Sequence, residues 1–438
     1  MFRRFRRFVL FLVGVTVPIQ AFGWGVGRFL TTPFKLAAAV LLAVAGVQYA
    51  MRSGGRWRDG KTVWLVFFLI SFVMAMVMAL VAGLYPPAVL SSGSTMISLV
   101  LLYFLLGYVI DNREDMLLLL WALPIGAVIT VAPALGGVRR FVAEGQRFSG
   151  LAGQDNLLGA DMNVCLAIAV GLFFLSRSPL RKIFLLGAGT LALGGIALSL
   201  SRSAFLSVAA MWGFWMYRSG SRGNLQYTVL ALMVASLSLI FVPDVVISRF
   251  DTIFNAAERA RDSSIQGRLL IDLWGVRAFL SNPLLGVGAP RFATWLHEQP
   301  GTSALPWPTI HNSYLGVAAE QGLLGLIPFL VIIGLSWKDY TVCWKAARAK
   351  RQLRDPALTE LGHIALFLQL ALVAGMVGGM FHQLHRSKTM WMVMALSPVV
   401  VGLARERLEA LRATDSPRVS IFPEASEPRP PLPRPSPG

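Results

Sequence analysis

The chain has 438 residues, of which 55% are apolar and only 14% are charged, and its formal net charge is +18. A soluble globular protein carries roughly 25% charged residues, so this composition excludes an ordinary soluble enzyme. Apolar runs long enough to cross a bilayer recur along the whole chain. We therefore predict an all-α polytopic membrane protein, surrounded by membrane lipids and without a nucleic-acid partner.

The apolar runs predict about twelve transmembrane helices. They lie at residues 8–22, 34–50, 63–83, 96–110, 116–135, 157–175, 183–200, 204–217, 229–247, 313–336, 364–380 and 390–403. A helical body is thus expected over residues 1–403, followed at 404–438 by a Pro-rich tail predicted to be disordered and cytoplasmic. The first run follows basic residues, so a cleaved signal peptide is an alternative interpretation of it.

Charge predicts the orientation of these helices. The start "MFRRFRRF" and the loops "MRSGGRWRDGK", "SRSPLRK" and "YRSGSRGN" are basic, whereas the loop "LYPPAVLSSGST" carries no charge. The positive-inside rule then places both termini in the cytoplasm. Cys165 and Cys343 show neither a pairing pattern nor metal-ligand spacing, and no HExxH motif is present, so we expect no disulfide, metal or other cofactor.

Several arginines fall on the outer face, against the usual bias. They are Arg139, Arg140, Arg147, Arg202, Arg249, Arg259, Arg261, Arg268, Arg277 and Arg291. The planar guanidinium fits phosphate oxygens, so the set predicts a site for a phosphate group at the outer interface. A single arginine of this set can instead form a local ion pair, such as one between Arg268 and Asp272, one helical turn further on. Arg202 interrupts nearly continuous apolar sequence at "SLSRS", which favours function over a snorkelling side chain.

The only long outer segment runs from residue 246 to residue 311. Within it, "DSSIQGRLLIDLWGVRAFLSNP" has apolar residues at helical spacing, beginning after Ser263 or Ser264 and ending at Asn282-Pro283. This pattern predicts an amphipathic helix lying on the outer membrane face. The following "GVG" permits a tight backbone turn, which is weak evidence for a phosphate loop.

The tenth predicted span opens with polar residues. Asn312 is a favourable N-cap, and His311 lies at the helix mouth, where the positive end of the helix dipole favours a neutral imidazole. A neutral imidazole can accept a proton from a hydroxyl. A bystander histidine at the interface is the alternative, and His297, His382 and His385 are rivals on the same face. Glu320 is predicted to form a buried polar contact or to line a cavity.

Here the sequence resembles the O-antigen ligase and polymerase family. The resemblance rests on "GRLLIDLWGVRAFLSNPLLGVGAPRFATWL" followed by "HNSYLGVAAEQGLLGLIPFL", with "RFSGLAGQDNLLGADM" and "SLSRSAFL" upstream, and covers residues 147–403. It implies a GT-C-like glycosyltransferase of the bacterial inner membrane that works without a metal ion. Its donor would be a glycan on undecaprenyl pyrophosphate, presented at the periplasmic face.

The resemblance also implies roles for individual residues. His311 would be the base that deprotonates the acceptor hydroxyl, and Arg202 and Arg268 would hold the pyrophosphate. We add Arg147, Arg261 and Arg291 to the expected pyrophosphate site. Asn312, Asp272, Glu320 and Asn156 are expected to support these residues. The displacement at the anomeric carbon is expected to be inverting.

The acceptor remains open at this level. An O-antigen ligase would transfer to lipid A-core, a polymerase would extend a growing polysaccharide, and a related group transfers to protein hydroxyls. All three need the same donor chemistry, and we favour the ligase. A flippase or transporter for lipid-linked sugars is the alternative of another class, supported by Asp161, Asn163 and Glu320. The sequence shows no convincing internal repeat, which a transporter would favour.

Overall fold

A computed structural model describes residues 2–19, 24–26, 29–51, 60–136, 148–152, 154–219, 263–302, 309–349 and 355–415 of the chain. These residues are helical apart from turns, short connections and a hairpin that pairs Trp24–Val26 with Phe29–Thr31. The prediction of an all-α polytopic fold is confirmed in this coarse form. The predicted ninth span, at 229–247, lies outside the described residues.

Thirteen α-helices are present in the described part of the chain. They are α1 (Phe2–Thr16), α2 (Pro33–Met51), α3 (Lys61–Val81), α4 (Pro86–Val109), α5 (Arg113–Leu135), α6 (Asp155–Leu175), α7 (Pro179–Leu198), α8 (Arg202–Ser219), α9 (Ser263–Ser281), α10 (Phe292–His297), α11 (Ser313–Ala349), α12 (Pro356–Gly379) and α13 (Lys388–Asp415). Two short 3₁₀ helices lie at Gly150–Ala152 and Leu384–Arg386. Helix α13 extends past residue 403, so the first part of the expected tail is helical.

Seven of the described helices are long and apolar enough to cross a bilayer: α3, α4, α5, α6, α7, α11 and α12. The sequence predicted about twelve, and the difference has a physical reason. Helices α1, α8 and α13 carry arginines or lysines near their ends, and α2 has only a short apolar stretch, Pro33–Tyr49. The chain is a multi-pass membrane protein.

The burial pattern of the helices also fits a bilayer. Helix α12 lies at the centre of the bundle. Within its most apolar stretch of 18 residues, 83% are buried inside the protein, whereas the share is 33% for the same length of α3. The outer face of α3 exposes large apolar side chains such as Phe67 and Ile70. Soluble proteins rarely expose apolar patches of this extent, so lipid is the natural solvent for this face.

Ion pairs concentrate at one end of the bundle. Buried Arg6 of α1 pairs with Asp115 of α5, and Lys61 at the start of α3 pairs with Asp339 of α11. Removing one partner of a buried ion pair leaves a buried charge without compensation. Both ion pairs therefore oppose separation of the helix ends that they join. The other end contains the α7–α8 turn, the start of α11 and the α12–α13 loop, where the candidate site lies.

Helix α11 is broken at Gly322, whose φ of 63° and ψ of −159° are not helical. Residues 283–289, which we call the inserted loop, fill this break. The hydrogen bonds that join the loop to the helix are Val287 N to Ala319 O (2.8 Å), Gly288 N to Glu320 O (3.1 Å), Leu323 N to Pro283 O (2.8 Å) and Leu324 N to Leu284 O (3.2 Å). Non-helical backbone at membrane depth requires such internal partners.

The "GVG" sequence, Gly286 to Gly288, lies in this inserted loop. The backbone N–H groups of these three residues all donate to backbone carbonyls, so none of them is available to a phosphate. Gly286 N–H donates to Asn282 O at 2.8 Å, and Val287 and Gly288 donate to α11. Ala289 N–H donates to Ala75 O of α3 at 3.1 Å. The weak indication of a phosphate loop is therefore wrong. The glycines serve close backbone packing instead.

Candidate active site

Helix α9 presents one polar face to the entrance of α11. Arg268, Asp272 and Gly275 follow at spacings of four and three, so they share this face. A Cβ atom added to Gly275 would lie 3.1 Å from Ile310 Cδ1 and 3.0 Å from Leu315 Cδ2. Because Gly275 has no side chain, α9 can pack closely against the segment that carries His311.

A neighbouring face of α9 is apolar and exposed. It contains Leu269, Leu273, Val276 and Leu280, which are 62%, 55%, 42% and 66% exposed. The predicted helix is confirmed, from Ser263 to Ser281. An apolar face beside a polar one suits a helix at a membrane interface.

Asn312 caps α11, as the sequence predicted. Its Oδ1 accepts hydrogen bonds from the backbone N–H groups of Tyr314 (3.0 Å) and Leu315 (3.1 Å). The helix then begins at Ser313, so His311 directly precedes the cap. Its imidazole is half-buried at the positive end of the helix dipole.

The electrostatics around His311 favour the neutral imidazole. Burial is the larger cause and the positive charge of Arg268 the second, and both lower the pKa of His311 below its ordinary value of 6.5. At neutral pH the ring is therefore uncharged and able to accept a proton. The same interaction shows that Arg268 and His311 lie close enough to affect each other.

Asp272 completes this group. Burial raises the pKa of its carboxyl group, and the charge of Arg268 opposes that rise. Its Oδ1 atom is buried and has no hydrogen-bond partner among the described residues. Arg268, Asp272 and His311 therefore form one electrostatically coupled group, which we call the outer triad.

Arg202 is the first residue of α8 and directly follows the tight turn from α7. Leu200 precedes it with a φ of 50°, a left-handed conformation that is uncommon for a leucine. Helix α6 supports this turn closely, because Gly159 leaves room for Ala204 and the Asn163 side-chain amide donates to Ala204 O at 3.1 Å. Arg202 itself is partly exposed, as expected for a residue at the interface.

Buried hydrogen bonds connect the Arg202 turn to the start of α11. Ser203 Oγ lies 2.5 Å from His382 Nε2, and the carbonyl of His382 accepts from Ser313 Oγ at 2.5 Å. Ser313 is the first residue of α11, two positions after His311. The structure therefore brings the Arg202 turn, the α12–α13 loop and the His311 helix together at one end of the bundle.

Glu320 lies at the break in α11, as part of a polar contact that the sequence anticipated only in general terms. Its carboxylate accepts a hydrogen bond from the Phe292 backbone N–H and interacts with the charge of Arg386. Arg386 also donates to Ser92 Oγ at 2.5 Å. Sequence reasoning missed Arg386, because its partners on α4 and α11 are distant in the chain.

The remaining predicted residues fall elsewhere. Arg291 pairs with Glu298 at 2.9 Å, which favours the structural alternative of a local ion pair over phosphate binding. Asn156 is the second residue of α6, which begins at Asp155. Arg147 and Arg261 lie outside the described residues.

The rival histidines have different surroundings from His311. His297 is exposed at the end of α10. His385 is 4% exposed, and burial and the charge of Arg386 lower its pKa to about 3, so it does not titrate near neutral pH. His382 is also buried and bound to Ser203. Among these four, only His311 combines partial exposure with the charge of Arg268.

Comparison with protein families gives a match to this part of the chain. Residues 187–330 match the O-antigen ligase family model. The matched region covers most of α7, then α8, α9, the inserted loop and the first half of α11. It contains Arg202, Arg268 and His311, and confirms the family resemblance seen in the sequence. No curated protein matches the chain. The match supports a membrane enzyme that ligates or polymerises glycans.

Proposed function

We propose that this protein is a membrane glycosyltransferase that moves a glycan from undecaprenyl pyrophosphate to an acceptor hydroxyl. The observation that carries the proposal is the outer triad, since a neutral imidazole beside a guanidinium lies within the region that matches the O-antigen ligase family. A base for the acceptor and a cation for the leaving group are the two groups that this transfer needs.

The proposed step is an inverting displacement. The acceptor oxygen bonds to the anomeric carbon while the bond from that carbon to the pyrophosphate oxygen breaks. His311 takes the acceptor proton, and undecaprenyl pyrophosphate leaves with the electron pair. Arg268 and Arg202 stabilise the negative charge of the departing group, since guanidinium pairs well with phosphate oxygens.

Asp272 has a supporting role in this proposal. It shares a helix face with Arg268 and interacts with its charge, so it helps to fix the guanidinium. Asn312 holds the first turn of α11 and thereby the position of His311. Arg291 is left out of the proposed pyrophosphate site because Glu298 engages it, and Arg147 and Arg261 remain sequence predictions.

We further propose that the enzyme is a GT-C-like protein of the bacterial inner membrane, with about twelve spans and both termini in the cytoplasm. The basic loops of the sequence support this orientation. The outer triad would then face the periplasm, where lipid-linked glycans are presented. The exposed apolar stripe of α9 fits a helix embedded in the periplasmic surface of the bilayer.

Lipid A-core is the acceptor that we propose, which makes the protein an O-antigen ligase. Polymerisation of O-antigen or exopolysaccharide uses the same donor chemistry and differs only in the acceptor. Deleting the gene and separating the cell's lipopolysaccharide by gel electrophoresis distinguishes the two. Core without long chains, with lipid-linked polymer accumulating, supports the ligase. Core carrying single repeat units supports the polymerase.

The flippase alternative loses two of its supports. Buried Asp161 accepts a hydrogen bond from Thr389 at 2.6 Å, and buried Asn163 donates to Ala204 O at 3.1 Å. Both contacts join helices to one another. An assay of the purified protein in detergent, with lipid-linked donor and lipid A-core acceptor, tests the class directly. Formation of the joined product supports a transferase, and absence of any product under conditions where the donor binds contradicts it.

A further inference from the structure

His382 contacts the Arg202 turn through its imidazole. The hydroxyls of Ser201 and Ser203, on either side of Arg202, lie 3.5 Å and 2.5 Å from His382 Nε2 and 2.9 Å from each other. All three side chains are buried. One nitrogen atom thus holds both neighbours of the arginine that we propose as a pyrophosphate ligand.

The backbone of His382 contacts the other half of the site. Its carbonyl accepts from Ser313 Oγ at 2.5 Å and from Leu384 N–H at 2.9 Å. The same Ser313 hydroxyl accepts from the backbone N–H of His385 at 3.2 Å. Because Ser313 opens α11, the His382 carbonyl is tied to the helix entrance that carries His311.

The conformation of the turn explains why such a clamp is needed. Leu200 holds a left-handed φ of 50°, a conformation that persists only where surrounding contacts enforce it. The contacts of Ser201 and Ser203 with His382 hold the residues that directly follow Leu200. His382 itself is 6% exposed and its Nε2 is occupied by the serines, so it does not face an acceptor hydroxyl.

We propose that His382 is a positioning residue that fixes Arg202 relative to His311. This inference rests on the proposed function, in which Arg202 binds the pyrophosphate and His311 accepts the proton. The imidazole holds the turn and the carbonyl holds the helix entrance, so one residue sets the spacing between the two groups. A displacement of about 1 Å between catalytic groups can cost roughly 10²-fold in rate.

A double-mutant cycle on ligand binding tests the proposal. Binding of undecaprenyl pyrophosphate to the purified protein is measured for wild type, His382→Phe, Arg202→Ala and the double variant. Phenylalanine retains an aromatic ring but removes both ring nitrogens. We expect His382→Phe to weaken binding at least about 10-fold in wild type and to have little further effect in the Arg202→Ala background, because coupled residues are not additive.

Two further variants separate positioning from general damage. His382→Gln retains a hydrogen-bonding group near the Nε2 position, so it should restore most of the binding. Ser207→Ala removes a buried hydroxyl of the same helix that bonds only to backbone carbonyls, and it should bind nearly as wild type does. Each variant is first checked for insertion in the membrane and for a single peak on a detergent sizing column.

Additive losses in the cycle, or no loss in His382→Phe, would overturn the proposal, as would a wild-type protein that does not bind undecaprenyl pyrophosphate. Transfer is measured in parallel. Coupled binding in a wild-type protein that transfers nothing would refute the proposed function while leaving the positioning role intact. If the residual transfer activity of His382→Phe no longer falls at low pH, whereas that of His311→Ala still does, His382 is the base and the proposal is overturned.

Discussion

A single imidazole carries the proposed proton transfer, and its surroundings decide its charge. Burial and the charge of Arg268 both lower the pKa of His311, so the two effects act in the same direction. A base must be deprotonated before it can act, and the acid limb of the rate profile reports its pKa. At this scale the chemistry depends on the coupling between a side chain of α9 and one in the segment that leads into α11.

Substitution of Arg268 by glutamine should move the acid limb of transfer to higher pH. Removing the cation eliminates one cause of the lowered pKa of His311, so the imidazole becomes protonated at a higher pH than in wild type. The overall rate should also fall by about 10²–10³-fold, since a stabiliser of the leaving group is lost. The measurement is kcat/KM against pH for the purified variant.

Arg277→Gln is the matched control for this shift. It removes the same charge from the same helix, but Arg277 stacks over Trp274 at 4.6 Å instead of facing His311. Its pH profile should follow that of wild type. An acid limb in Arg268→Gln that stays in place, or that moves to lower pH, would show that the two residues are not coupled as described.

Residue-scale prediction from sequence succeeds where the cause is local. The Asn312 cap was predictable because its partners, Tyr314 and Leu315, follow within three residues. The contact between Ser203 and His382 spans 179 positions of the chain, and no local pattern indicates it. Arg386 was missed for the same reason, since Ser92 lies 294 positions away.

At the scale of elements, the break in α11 and the inserted loop form one unit. The boundaries of α9 and the start of α11 followed from spacing, capping and the Asn-Pro stop. The break at Gly322 did not, because an isolated glycine in an apolar run is compatible with a continuous helix. The break becomes evident only from the inserted loop, which supplies the backbone hydrogen bonds that α11 lacks at Gly322. This unit fixes α9 against the entrance of α11.

Alanine at Gly286 or Gly322 should destabilise the protein. Both glycines have positive φ, and an added Cβ would approach backbone atoms to 2.4 Å at Gly286 and 2.3 Å at Gly322. We expect a cost of roughly 1–3 kcal/mol from the backbone conformation, and more from the clash, with loss of transfer because α9 moves. Thermal unfolding in detergent measures the first effect and the transfer assay the second.

Gly334→Ala provides the comparison, since Gly334 lies in the same helix and an added Cβ there meets nothing within 4 Å. Alanine favours helix over glycine by about 1 kcal/mol in soluble hosts, so this variant should be at least as stable as wild type. Equal unfolding temperatures for Gly286→Ala, Gly322→Ala and Gly334→Ala would contradict the inserted-loop account.

On the scale of the whole molecule, the two ends of the bundle differ in chemistry. One end holds ion pairs between helix ends, including Arg113 with Glu360 and Arg407 with Asp355, which bring the starts of α5 and α12 beside the end of α13. The other end holds the outer triad and the serine–histidine contacts. Composition predicted the membrane class correctly, whereas only seven of the described helices are long and apolar enough to count as spans by themselves.

Thiol labelling tests the proposed orientation of these two ends. Cys165 and Cys343 are both buried, so an introduced cysteine can be read against a low background. In spheroplasts, a membrane-impermeant maleimide should label His297→Cys and should label Arg405→Cys only after lysis. Both wild-type positions are exposed. The reverse pattern would place the outer triad in the cytoplasm and contradict the proposed donor face.

The most direct test of the central claim is glycan transfer by purified His311→Ala in detergent, compared with wild type and with His297→Ala. We predict transfer by wild type and by His297→Ala, and a loss of about 10²–10⁴-fold in His311→Ala, as expected when a general base is removed. A correctly folded His311→Ala protein that joins donor and acceptor at the wild-type rate would contradict the account.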